Sequence, residues 1–348
     1  MAERAGVPRL FGGRLPGLAL CLAIALGAAL ASPVLKSATG GYTLPPIVLA
    51  LLAGMVLNMC ADDLRFAPGI EYAVKTLLRY AIALLGFKIA FSDILALGPG
   101  VAWLVILAMT VTVVAGVRFA QFLDRLPGFG ALAGAACAVC GASATLATAT
   151  VVPDYPQKRA DIAFSVVMAN GVSTLVMFAY PALAALIGFN DRQTGILLGL
   201  TIHDMAQVVG AGYAVSETAG NTAVIVKLFR IMLLLPVVMG IGLWLKRLQP
   251  VPGEVKASVP APLFALAFIL FAALNSILPS TALAGAYAPL RDLAVEASNA
   301  GLLVAMAALG LGTSLRALFS VGFGHVAVFS GATLAILFIG IAGVRLLG

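Results

Sequence analysis

The sequence predicts an all-α membrane protein of about eleven transmembrane helices: one N-terminal helix, then two inverted five-helix repeats with crossed broken helices. Three observations lead there. Of the 348 residues, 62% are hydrophobic and only 10% charged, with a mean hydropathy of +1.09; a water-soluble domain carries roughly a quarter charged residues. The apolar residues gather in runs near the ~20 residues that cross a bilayer. The gaps between runs are short and rich in turn formers, which leaves no room for a separate soluble domain.

In order, the expected spans are 15–31, 42–59, 70–90, 101–122, 130–150, 159–188, 194–214, 221–247, 262–278, 293–315 and 323–347. Ser32-Pro33, Ala61-Asp62-Asp63, Gly98-Pro99-Gly100, Asp124-Arg125-Leu126-Pro127, Asn190-Asp191-Arg192 and Pro250-Val251-Pro252-Gly253 punctuate them. Arg4, Arg9 and Arg14 precede the first run as in a signal peptide. No cleavage pattern follows, so span 1 is expected to be retained. Residues 1–348 are thus expected to form a single integral membrane domain, with 15–31 as the extra helix, 42–188 as repeat 1 and 194–347 as repeat 2.

The formal charge of +7 is scattered over loops and is no nucleic-acid footprint. With the N-terminus inside, the inner loops carry Arg4, Arg9, Arg14, Arg65, Arg118, Arg125, Arg192, Lys246, Arg247, Lys256 and Arg316. The outer side carries Lys36, Lys88, Lys158, Arg159, Arg291 and Arg345. The bias favours N-in, C-out. Two internal matches suggest the repeat: Lys75 and Arg79 in span 3 with Lys227 and Arg230 in span 8, and Leu57-Asn58-Met59 in span 2 with His203-Asp204-Met205 in span 7. Both lie five spans apart, so the second unit would enter from the opposite side.

Span 5 is almost wholly small residues around Gly141, Ser143 and Thr145, and span 10 carries Gly310-Leu311-Gly312-Thr313-Ser314. Such residues permit close helix packing. In paired positions they also suit helices that unwind at mid-membrane and present free N–H groups to an anion. Span 7 holds His203, Asp204 and Gln207, though a charge at the bilayer centre costs about 2.5–3.5 kcal/mol. His203 and Gln207 share a helix face, and the cluster suits proton coupling, or else polar pinning of helices. Arg79 and Arg230 lie deep enough to offer positive charge to an anion, whereas Lys75 is expected to snorkel.

Cys21, Cys60, Cys137 and Cys140 sit in or beside apolar runs, so no disulfide framework is expected, and Cys137-x-x-Cys140 is read as small packing residues. No His-Glu-x-x-His or Gly-x-Ser-x-Gly motif is present, so neither an enzyme nor a cofactor or metal is expected. The expected partners are a small anionic substrate and the lipid bilayer, with a second copy of the chain as the candidate protein partner and no nucleic acid.

The string Ile202-His203-Asp204-x-Ala206-Gln207-Val208-Val209-Gly210-Ala211-Gly212, followed by Val226-Lys227-Leu228-x-Arg230 and Leu235-Pro236, resembles the bacterial YeiH-like sulfate exporter family. Cys140-Gly141-Ala142-Ser143-Ala144 and Leu84-Leu85-Gly86-Phe87 resemble it too, and the match runs over spans 2 to 11. Met205 departs from the Thr common there. The resemblance implies a multi-pass inner-membrane secondary transporter, related in fold to the bile acid/sodium symporters. It would export sulfate, sulfite or an organosulfur anion, coupled to protons or sodium. Gly141, Ser143, Thr145, Gly312, Thr313, Arg230 and Arg79 are the expected substrate ligands, and His203, Asp204 and Gln207 the coupling residues. A cation/proton antiporter of related fold is the alternative.

Overall fold

A computed structural model describes residues 13–38, 45–60, 65–89, 91–248, 262–281, 284–312 and 323–347. Every regular element among them is helical. The helices are α1 (Leu15–Ala38), α2 (Pro46–Val56, prolonged by a tighter turn over Leu57–Cys60), α3 (Ala67–Tyr72) and, after a π-helical stretch Ala73–Leu77, α4 (Leu78–Leu85). Then come α5 (Phe91–Ala96), α6 (Gly98–Phe122), α7 (Pro127–Ala138), α8 (Ala142–Ala149), α9 (Lys158–Leu186), α10 (Asp191–Thr201), α11 (Met205–Val215), α12 (Glu217–Met232), α13 (Leu234–Leu248), α14 (Leu263–Ile277), α15 (Ala284–Leu311) and α16 (Phe323–Leu346). They form two compact units, one within 1–85 and 285–313, the other within 86–284 and 314–348. This division cuts across the expected repeat boundaries.

The first unit is joined by close backbone approaches where Cβ atoms are missing. A Cβ on Gly17 of α1 would strike Phe66 O and Gly69, and one on Gly54 of α2 would strike Ala307 O and Gly310 of α15. Small residues thus replace the hydrophobic driving force that lipid cannot supply. The Asn58 side-chain amide donates to Leu311 O, and the Ser298 hydroxyl donates to Ala81 O at 2.7 Å. Lys75 lies on the π-helical stretch and pairs with Glu71 at the surface of the chain.

In the second unit, α6 and α16 run antiparallel, Arg125 lying against Gly324 at one end and Leu104 against Gly343 towards the other. Helices α6, α9 and α16, and α14 together with the tighter turn over Leu278–Ser280, are each long and apolar enough to cross a membrane, as are α1 and α15 of the first unit. Helices α12 and α13 pass that test together as one span bent by 44°. Spans 5 and 7 do not cross. Helix α7 has 12 residues, about 18 Å against a ~30 Å hydrocarbon layer. The chain turns at Val139–Gly141, and α8 returns it to the same face. A Cβ on Gly128, in the first turn of α7, would lie 2.9 Å from both Val152 and Tyr155, just beyond α8.

Helices α10 and α11 form a second hairpin from the opposite face. Gly195 near the start of α10 and Gly212 near the end of α11 both abut Ala219 of α12. A capping box of Asn190 and Gln193 starts α10, and the Ser216 hydroxyl caps α12, accepting from Ala219 N–H. The base of this hairpin is therefore closed by local hydrogen bonds.

Two expectations are corrected here. Span 7, expected as a continuous crossing, is interrupted at Ile202–Asp204; of the break expected in span 10, Gly310 and Leu311 are the last helical residues of α15, Gly310 packs on Leu51 and Gly54, Gly312 is a turn, and Thr313 lies outside the described residues. Ser314 lies outside the described residues. Because the first hairpin returns, Lys158 and Arg159 share a face with Arg125, not the opposite one. Call that face A; Arg192 and Arg345 mark face B of the same unit, where Arg345 reaches Ile187 O at 3.5 Å.

Candidate functional site

A helix that stops inside a membrane leaves its last carbonyls without partners, and no water is there to satisfy them. The tips of the two hairpins meet, and two side chains of α12 resolve both shortages at once. Lys227 Nζ donates to Val139 O at 2.7 Å, to Ile202 O at 2.7 Å and to His203 O at 2.5 Å. Three acceptors use all three protons of an ammonium. The Arg230 guanidinium donates from Nε to Ala138 O at 2.9 Å, from Nη1 to Gly199 O and Ile202 O at 2.9 and 3.0 Å, and from Nη2 to Cys137 O at 2.7 Å. Both residues are 0% exposed. Two cations thus sit at the negative ends of α7 and α10, which leaves the positive N-terminal ends of α8 and α11 at the tips.

Glycine at 141 is dictated by the turn. Its φ is +61°, and a Cβ there would lie 3.3 Å from Ala169 Cβ and 3.8 Å from His203 O. On the second tip, Asp204 caps α11, its carboxylate accepting from Ala206 N–H at 3.3 Å, while its own N–H donates to Ser173 Oγ of α9 at 3.1 Å. Ile202 and His203 are fully buried, as irregular backbone at this depth requires. His203 Nε2 lies 3.0 Å from Thr333 Oγ1 of α16. The Thr333 hydroxyl donates to Phe329 O at 3.0 Å, so the imidazole Nε2–H is the donor to Thr333 and Nδ1 is the bare nitrogen. His203 Nδ1 and Gln207 Oε1 are buried and have no hydrogen-bond partner. The tips therefore hold two unmet acceptors beside a half-buried carboxylate.

Of the residues marked in the sequence, Gly141, Thr145, His203, Asp204, Gln207 and Arg230 all belong to this junction. The hydroxyl of Thr145 donates to Gly141 O at 3.1 Å, which steadies the turn. Ser143 also stands on the first turn of α8 but faces outward. Arg79 is exposed on α4 in the first unit, unlike its supposed repeat mate Arg230. Gly312 follows α15 in that same unit, and Thr313 lies outside the described residues. Lys227 and the supporting Ser173 and Thr333 went unmarked. The three-residue spacing of Lys227 and Arg230 was visible, but the carbonyls that bury them were not. Cys137 and Cys140 are free thiols, and Cys137 Sγ lies 3.5 Å from Thr333 Oγ1.

A family model described as conserved hypothetical protein 698 matches residues 16–328. The UPF0324 membrane protein TauZ of Paracoccus pantotrophus is 39% identical over 312 residues, covering 88% of this chain and 90% of its own length. The UPF0324 inner membrane protein YeiH of Salmonella typhimurium is 35% identical over 319 residues, covering 88% of this chain and 87% of its own. No solved structure matches the chain.

Proposed function

The chain belongs to the conserved hypothetical protein 698 family of multi-pass membrane proteins, the YeiH-like family, and from that premise we propose that it is a secondary transporter of a small anion. One observation carries the reading: two hairpins entered from opposite faces meet tip to tip, with fixed cations behind them. Interrupted helices whose N-terminal ends point at a mid-membrane site suit an anionic cargo. Backbone N–H groups of the first turns of α8 and α11 receive the anion, sulfate, sulfite or an organosulfur anion, while the Gly141 N–H is held by Ala136 O at 3.0 Å. Ser143 and Thr145 flank them, and Arg230 and Lys227 act through their charge, since their donors are engaged by carbonyls. His203 and Asp204 exchange the coupling proton, and Gln207 serves them as a hydrogen-bonding neighbour.

Face A is assigned to the cytoplasm, because Arg118, Arg125, Lys158, Arg159, Lys246 and Arg247 lie there against Lys88, Arg192 and Arg345 on face B. Export then runs from face A to face B. The test is flux of labelled sulfate and sulfite into liposomes containing the purified chain, with and without a pH gradient. Transport that responds to the gradient in the wild type and ignores it in Asp204→Asn is the expected result; wild-type flux indifferent to pH sinks the coupling. The acceptor Gln207 Oε1 beside Asp204 favours a second reading, cation/proton antiport. A sodium or potassium gradient that moves protons with no anion present would establish that instead.

A further inference from the structure

The sequence holds two histidines, and one face of α16 carries His325 near its start and, further along, the two residues that touch His203. His325, in the first turn of α16, places Nε2 3.2 Å from Oδ1 of Asp161, in the first turn of α9. The Tyr155 hydroxyl donates to Asp161 Oδ2 at 2.8 Å, and Asp161 is only 6% exposed. The imidazole is flanked by the rings of Phe129 and Phe164, with centroids at 4.6 and 5.3 Å. This cluster closes the base of the first hairpin at face A, far from the tips.

Two helix faces lead from it to the tips in four-residue steps. On α16, His325 is followed by Phe329, whose ring lies 5.6 Å from that of His203, and by Thr333, bonded to His203. On α9, Asp161 is followed by Ser165, by Ala169 against Gly141, and by Ser173, bonded to Asp204. Asp161 and Ser173 are about 18 Å apart along the axis. Ser165 Oγ lies between them, and Thr148 Oγ1 stands on α8, which packs along α9; both hydroxyls are fully buried and have no partner. A buried hydroxyl left unpaired costs about 1–3 kcal/mol, which a hydrogen-bonded water would recover.

We propose that Asp161 and His325 form a second proton-binding site, which exchanges protons between face A and the His203–Asp204 tip through water held by Ser165 and Thr148. Each step passes one proton forward along a hydrogen bond while the donor receives one from behind, so no charge is stranded between the ends. The charged and titratable groups around His325 are Asp161 and Tyr155, Arg125 against Gly324, and Lys158, which bonds Val152 O and Asp154. The relay rests on the transport reading; the proton-binding pair does not.

Infrared difference spectra of the purified chain between acid and alkaline pH test the pair. A carboxyl band lost in Asp161→Asn and an imidazole band lost in His325→Gln are expected; retention of both bands in the two variants overturns the site. In liposomes with a trapped pH dye, Ser165→Ala and Thr148→Val should slow sulfate- or sulfite-driven proton movement about tenfold. Exchange of labelled sulfate or sulfite at equal pH should not change. Undiminished proton movement in both variants overturns the relay. If the wild type exchanges neither anion, the transport reading and the relay fall together, while the infrared bands still decide the pair.

Discussion

Lys227 and Arg230, three residues apart on α12, each bond carbonyls from both hairpin tips, Lys227 taking Val139 O with His203 O and Arg230 taking Ala138 O with Gly199 O. Neither hairpin has a satisfied end without α12, and the two ends share one pair of cations. The junction is in effect a single bolted part.

Lys227→Met should therefore destabilise the chain severely, by about 3–5 kcal/mol, because the buried carbonyls of Val139 and His203 lose their donor and Ile202 O keeps only Arg230. Thermal unfolding in detergent micelles measures it. Lys75→Met, which removes an exposed pair with Glu71, should change stability by less than about 1 kcal/mol.

Arg230→Lys keeps the charge and loses the fork. An ammonium offers three donors from one point and cannot span Cys137 O and Gly199 O together. Labelled-anion flux should fall by roughly tenfold or more at unchanged membrane insertion, since tip geometry would loosen while the electrostatics persist.

Gly141→Ala forces a side chain into φ +61° and against Ala169, at a cost of about 1–3 kcal/mol. Unfolding temperature and flux should both drop. Gly240→Ala, in open space on α13, should be neutral or slightly stabilising by the same measurements.

In a cysteine-free background, Arg125→Cys and Asp154→Cys should react with an impermeant maleimide from one face, and Arg192→Cys and Glu217→Cys from the other. Labelling of residues 125 and 154 from opposite faces would restore span 5 as a crossing helix and overturn the hairpin.

Much of this was legible in the sequence. The apolar runs marked α6, α9 and α16 nearly to their ends, since a crossing helix must be long and uniformly apolar. The small residues about Gly141 marked one tip, and the His203-Asp204-Gln207 cluster marked the other. The hairpins themselves were hidden by length: α7 with α8 has the residue count of one crossing, and nothing in composition tells a chain which way to leave a turn. At Gly310, close packing on Gly54 asks for the same small residues as a break, so composition does not tell the two apart. Lys75 and Lys227 share a local pattern, yet one is exposed and paired with Glu71 and the other is buried among carbonyls distant in sequence. The row of Asp161, Ser165 and Ser173 was overlooked because its polar residues are scattered four and eight apart in an apolar helix.

The bolt at the tips also bears on how the chain is made. Val139 and Lys227 are separated by 88 residues, so the first hairpin leaves the ribosome long before its cations do. Until α12 is synthesised, bare carbonyls at Cys137, Ala138 and Val139 would be stranded in hydrocarbon. The α7–α8 segment is thus expected to wait at the membrane surface, or in the insertion machinery, and to enter late, with the second hairpin and α12 as a unit.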